Sequence, residues 1–119
     1  MGKEGQRFYA GNPSHLVERI CAAFGVTPDE LVSGRRSRHR TLARHVATLA
    51  LKELGYFSYS DLARILHYAD HTSVLSALAA ARMKLAKDRH LRAMFDLLME
   101  QLRAPALDTY PRNPRESEP

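Results

Sequence analysis

The stretch that decides the fold is residues 59–86, "YSDLARILHYADHTSVLSALAAARMKLA". It holds two apolar rhythms of helical period, separated by a polar interruption. Leu62, Ile65 and Leu66 recur at the spacing of one helix face, and Val74, Leu78, Ala81 and Leu85 at that of a second. An aspartate placed directly before such a run is an N-cap, because its carboxylate accepts from the free N–H groups of the first turn. Asp70 is therefore expected to start the longer helix, and Ser58 or Ser60 to cap the shorter one. A short helix, a turn of about four residues and a longer helix make helix-turn-helix spacing, expected over about residues 59–86.

Outward from this pair, the same period continues. Ser14 can cap a first helix with Leu16, Val17, Ile20, Ala23 and Phe24 on one side, and Gly25 ends it. In "TPDELVSG", Thr27 caps, Pro28 suits the first helical position, and Glu30 completes a capping box; Gly34 stops the helix. A third helix is predicted from about Arg40 to Leu54, with Leu42, Val46, Leu49, Ala50 and Leu54 as its stripe and Gly55 at its end. Asp88 starts a sixth, carrying Leu91, Met94, Phe95, Leu98 and Leu102, and Pro105 closes the domain. No useful strand-like alternation occurs. The expected fold is all-α, about six helices with a helix-turn-helix. The domain spans residues 14–104, between a flexible segment 1–13 and a disordered Pro-rich tail 105–119.

The 119 residues suit one domain with a modest core. Cys21 is the single cysteine, so no internal disulfide can form, and its place beside the first helix's apolar stripe marks it as a core residue. That usage fits a reducing compartment. With no membrane-length apolar run and no signal-peptide stretch, it leads to the expectation of a soluble cytoplasmic, nucleoid-associated protein with no membrane partner. The formal net charge is +5, which favours polyanions weakly by itself. Its placement is more informative. From Ser33 to Lys52 there is no acid, while Arg35, Arg36, Arg38, Arg40, Arg44 and Lys52 fall in that stretch with His39 and His45. A second basic run, Arg82, Lys84, Lys87, Arg89 and Arg92, is broken only by Asp88.

On the third helix, Thr41, Arg44, His45, Thr48 and Lys52 fall in an arc of roughly 100°, away from the apolar stripe. These side chains can donate to phosphate oxygens, although a basic stripe can equally be a solvated helix face. The four arginines of "SGRRSRHR" have no acid close in sequence to pair with, and such a loop can enter a narrow, A·T-rich minor groove. On the fifth helix, Thr72, Ser76, Ala79 and Met83 lie opposite the core stripe, with Ser73 beside them. The small residues leave room for a groove, and the helix N-terminus favours phosphate. Asp70, His71 and Thr72 are of types that read base edges. Asp70 is also an ordinary N-cap, and His71 an ordinary exposed histidine.

Catalytic motifs are missing: there is no Gly-rich phosphate loop, nucleophile elbow or HExxH. No enzymatic activity, cofactor, metal or nucleotide is expected. His67 and His71 stand four apart, as two metal ligands on one helix would, but the expected helix break separates them and no third ligand completes a set.

The segment "ELVSGRRSRHRTLARHVATLALKELGYFSYSDLARILHYADHTSVLSAL" resembles the C-terminal DNA-binding domain of the bacterial replication initiator DnaA. The likeness runs without a gap from about His15 to Leu85. Its most specific parts are "RRSR", the "AR" within the third helix, and "DHTSV", close to the family's DHTTV. The resemblance implies a monomeric, Trp-repressor-like helix-turn-helix domain that binds short asymmetric boxes in double-stranded DNA. It places Arg36 in the minor groove, Arg44, His45 and Lys52 along the backbone, and Ser60 against phosphate. Asp70, His71, Thr72 and Ser73 would enter the major groove. The full candidate set adds Arg35, Arg38, Arg40 and Thr48. Three departures stand out: Tyr68-Ala69 where the family has Gly-Arg, His45 where Gln is usual, and Ser73 where Thr is usual. The initiator's ATPase module has no counterpart in these residues. The expected function is sequence-specific duplex binding by a stand-alone domain of this type, in replication or transcription control, without ATPase activity; the alternative is a protein-interaction module that kept the fold and lost DNA reading. The identity of any protein partner is left open.

Overall fold

The computed structural model describes residues 13–32 and 37–108, with side chains as far as Arg103. Among these residues all regular structure is helical: α1 (Pro13–Phe24), α2 (Pro28–Val32), α3 (Arg38–Leu54), α4 (Tyr59–Leu66), α5 (His71–Lys87) and α6 (Arg89–Asp108). The all-α expectation and the helix-turn-helix, now α4–turn–α5, agree with it.

The local chemistry that sets the ends is visible bond by bond. In the α2 capping box, the Thr27 N–H donates to Glu30 Oε1 at 2.9 Å and the Glu30 N–H donates to Thr27 Oγ1 at 3.0 Å. A second box resolves the choice at α4 in favour of Ser58, whose hydroxyl accepts from the Asp61 N–H at 3.1 Å while Asp61 Oδ2 accepts from the Ser58 N–H at 2.9 Å. The Ser58 N–H is the main reason the Asp61 carboxyl is held below its usual range. Ser37 caps α3, which therefore begins at Arg38 rather than near Arg40. Gly55 ends it with φ 84°, a left-handed conformation that glycine adopts without steric cost. Asp88 is the only residue between α5 and α6: its N–H donates to the Lys84 carbonyl, and its carboxylate accepts from the Leu91 N–H.

Two expected boundaries shift. α1 begins at Pro13, so Ser14, expected to cap it, sits in its first turn instead, and α6 runs to Asp108 rather than closing at Pro105. Pro105 falls in the last turn, where its missing N–H removes a single bond from the ladder. Gly34 and the segments 1–12 and 109–119 lie outside the described residues.

α3 is the centre of the molecule and touches all five other helices. Val46 to Leu51 are six consecutive buried residues, so mid-helix no face is left to solvent. Around it pack Ile20 and Cys21 of α1, Leu31 of α2, Leu62 and Leu66 of α4, Val74, Leu78 and Ala81 of α5, and Phe95 and Leu102 of α6. Each large apolar side chain so enclosed is worth about 1.5–3 kcal/mol relative to exposure. Ala23, expected on the inner face of α1, is exposed. Met99 of α6, which the sequence reading did not select, is buried.

Candidate nucleic-acid interface

The turn between α4 and α5 is held from α3. The Arg44 guanidinium reaches across and donates to the Leu66 carbonyl through Nε (3.1 Å) and Nη2 (2.8 Å), and to the His67 carbonyl at 2.6 Å. These are the acceptors left over where α4 ends, and a cation is favoured at the C-terminal end of a helix dipole. His67 takes the left-handed conformation, φ 61°, that reverses the chain there. Beneath the guanidinium lies the Tyr68 ring, 4.2 Å from Arg44 Cζ. Thr48 Oγ1 donates to the Arg44 carbonyl at 2.7 Å and lies 2.8 Å from the Tyr68 hydroxyl. Thr48 has only one proton to give, so Tyr68 is the donor in the second bond. Burial raises the Tyr68 hydroxyl above its ordinary pKa.

This brace corrects three sequence expectations. Thr48 is not on an open face; it is fully buried, the only buried polar residue among those described. A helical wheel measures angles from a helix's own apolar stripe, and α3 has neighbours beyond that stripe. Arg44 is half-buried and its fork is occupied by backbone carbonyls. Arg40 does have an acid: its Nη2 lies 3.1 Å from Glu30 Oε2, ten residues back and brought close by the α2–α3 packing. His45 is lowered below the usual histidine range by burial and then by the Arg44 charge, so at neutral pH it adds no cation. His39, named with the basic stretch, bonds the Phe24 carbonyl at the end of α1. The face is thus less cationic than its sequence, and Lys52 and Arg38 are its remaining free charges among the described residues.

At the tip of α5 the order is different. Asp70 is exposed and caps the helix: its Oδ1 accepts from the Ser73 N–H at 2.9 Å and from the Ser73 hydroxyl at 3.1 Å. The Ser73 N–H, and next its hydroxyl, hold the Asp70 carboxyl below the normal range, so it is ionised at neutral pH. Ser73 is half-buried and tied to this cap. His71 and Thr72 are exposed. The His71 Nε2 and Ser60 Oγ share a 3.0 Å hydrogen bond. The Tyr59 ring lies beside the imidazole, 6.4 Å between centroids, and carries Lys52 Nζ on its face at 4.5 Å. The structure therefore assembles Lys52, Ser60, His71 and Thr72 at one corner. Tyr59, absent from the sequence candidates, is 37% exposed and belongs to the same corner, a placement that local spacing does not reveal.

A shallow hollow runs beside this corner, lined by Ser60, Ala63, Arg64, Ala69, Asp70 and Thr72. Further along α5, Ser76 and Ala79 are exposed and small. Arg35 and Arg36 lie outside the described residues. Among the described residues no three His, Cys, Asp or Glu side chains group so as to hold a metal ion, and no helix is long and apolar enough to cross a membrane.

Residues 13–80 match the family described as the bacterial DnaA protein helix-turn-helix. Curated relatives include the chromosomal replication initiator protein DnaA of Thermus thermophilus, 26% identical over 89 residues, which are 75% of this chain and 20% of that protein. The protein of the same name from Corynebacterium jeikeium is 28% identical over 96 residues, 81% of this chain and 16% of its own length. That from Methylacidiphilum infernorum is 31% identical over 87 residues, 73% and 19%. The chain spans about a fifth of the length of these relatives. With its α4–turn–α5 geometry and this match over more than half its length, the chain belongs to the bacterial DnaA helix-turn-helix family, a family of DNA-binding domains.

Proposed function

We propose that this chain binds double-stranded DNA in a sequence-specific way, with the first turn of α5 reading base edges in the major groove. The observation that carries this reading is the pair His71 and Thr72, exposed at the start of a helix whose outer face stays small through Ser76 and Ala79. Ser76 and Ala79 leave room for a groove wall, and the larger exposed side chains on that side of α5 are Leu75 and Met83. An imidazole can donate or accept at a base edge, and the threonine methyl fits a thymine methyl. Lys52 and Arg38 supply phosphate contacts, and Arg36, by likeness to the family, reaches the minor groove with Arg35 beside it in sequence. Asp70 acts chiefly as the cap that aims these residues. The relatives' printed names extend the proposal to replication initiation, and duplex binding of this kind can equally serve transcription control; nucleotide hydrolysis is not part of the proposal, since the 119 residues contain no glycine-rich phosphate loop.

The rival reading is a protein-interaction module that has lost DNA recognition. Its support is the missing cation at Ala69 and the bulk of Tyr68 at the turn. That ring lines the hollow, but it is half-buried, stacked under Arg44 and bonded to Thr48, so much of its bulk is taken up by the brace. Selection from a random duplex library, followed by mobility-shift titration, decides between the two. A single enriched box is expected, and His71→Ala or Thr72→Ala should each lower discrimination at one position by about 1–3 kcal/mol. Tight binding with no enriched box would refute sequence reading; no binding at near-physiological salt would favour the interaction module.

A further inference from the structure

A second surface lies partly beyond the family match. The N-terminal half of α3 and the C-terminal half of α5 enclose an open trough lined by Arg38, Thr41 and His45 on one wall and by Met83, Lys84 and Lys87 on the other. Its volume, about 1120 Å³, is at or above the ~300–1,000 Å³ of ordinary small-molecule pockets, and it is open along its length. No carboxylate lines it, and neither Lys84 nor Lys87 makes an ion pair among the described residues. Lys84 and Lys87 are also the cations of the last turn of α5, where the helix dipole favours them without a partner.

The trough is continuous with the reading corner. At about 100° per residue, Met83 and Lys87 fall within roughly 60° of Thr72 and Ser76, so they extend the same face of α5. From His71 to Lys87 that face runs about 24 Å at 1.5 Å per residue. The matched family segment stops at residue 80, so Met83, Lys84 and Lys87 are features of this chain outside it.

We infer that the trough is a second DNA contact, in which Lys84 and Lys87 of α5 and Arg38 of α3 grip backbone phosphates beside the major-groove tip. The contact rests on the duplex-binding reading above. It reads no bases: the two lysines are flexible point charges. A duplex backbone fits it better than a peptide does, because its charges are regularly spaced and of one sign.

The test compares three full-length chains on the selected box and on unrelated duplex, from 50 to 200 mM salt. One is the wild type, one Lys84→Gln with Lys87→Gln, and one Arg82→Gln with Arg89→Gln, which removes the same charge from exposed sites outside the trough. Two lost phosphate contacts should flatten the log–log salt slope by about 1.8, so the wild type's advantage over the lysine pair should shrink about twelvefold across that fourfold salt range. The arginine pair should keep the wild-type slope, and the preferred box should be the same for all three. An unchanged slope for the lysine pair in a chain whose wild type binds the box overturns the trough alone. An equal change in both pairs also overturns it, leaving net charge as the cause. A wild type that binds no duplex removes the proposed function, and the trough contact with it.

Discussion

Arg44 is the residue that separates reading a sequence from reading a structure. In the sequence it is one cation among six between Ser33 and Lys52. In the structure it is the bolt of the helix-turn-helix, donating three hydrogen bonds to the Leu66 and His67 carbonyls, 22 and 23 residues away. Nothing in local spacing announces such a contact. Thr48 and Arg40 were misplaced for the same reason, because their partners Tyr68 and Glu30 come from other elements. By contrast, Thr27, Asp70 and Asp88 were legible, since a cap bonds within three residues of itself and needs no knowledge of the fold. The brace has a measurable weight. Hydrogen bonds to a charged donor contribute about 1.5–3 kcal/mol, and half-burial at Arg44 keeps its whole fork near that range. Arg44→Ala should lower stability in urea by about 1.5–3 kcal/mol and weaken box binding by disordering the turn. Arg44→Lys should recover only part of it, because a single ammonium cannot fork between two carbonyls. A lysine variant as stable as the wild type would show that charge alone is enough.

At the scale of elements, α5 was the most accurately read and α3 the least. α5 has one neighbour-rich side, on which Val74, Leu78, Ala81 and Leu85 all came to be buried, and one empty side. Its periodic pattern therefore maps onto its surroundings. α3 is enclosed, and an enclosed helix has no polar face for a wheel to find. The meeting of α4 with α5 adds something that neither helix shows alone: Ser60 and His71 bond across the angle between them. The bond orients the ring through Nε2 and leaves the Nδ1 edge for a base. Ser60→Ala should therefore reduce discrimination at the base position that His71 contacts while thermal stability stays near wild type, since both side chains are exposed. Repeating the duplex selection with the variant checks this. A uniform loss of affinity across all sequences would instead identify Ser60 as a phosphate contact.

Across the whole molecule, one core serves every helix, and Cys21 reports on it. The thiol is 2% exposed, and burial, with smaller contributions from Glu18 and Glu30, pushes its pKa up from 9.0 to about 11. Its neutral form is favoured in the folded chain. The unfolded chain therefore releases that proton first as pH rises. The contribution is intact below pH 9 and lost between about pH 9 and 11. The difference between wild-type and Cys21→Ala stability curves should fall over that window and be flat below it; a flat difference throughout would mean the thiol is not enclosed. At pH 8 a thiol reagent should react only when the chain unfolds. The core position of Cys21 was readable from its place beside the α1 stripe, whereas the convergence of all six helices on α3 was not, because it depends on long-range packing. The arrangement of α5 has a further consequence, for how such a domain can change over time. Its inner face is locked by packing while Ser76 and Ala79 on its outer face are exposed, so the two obey independent constraints. A lineage can rewrite Ser76 or Ala79, and with them the surface this helix offers, without first surviving a loss of fold.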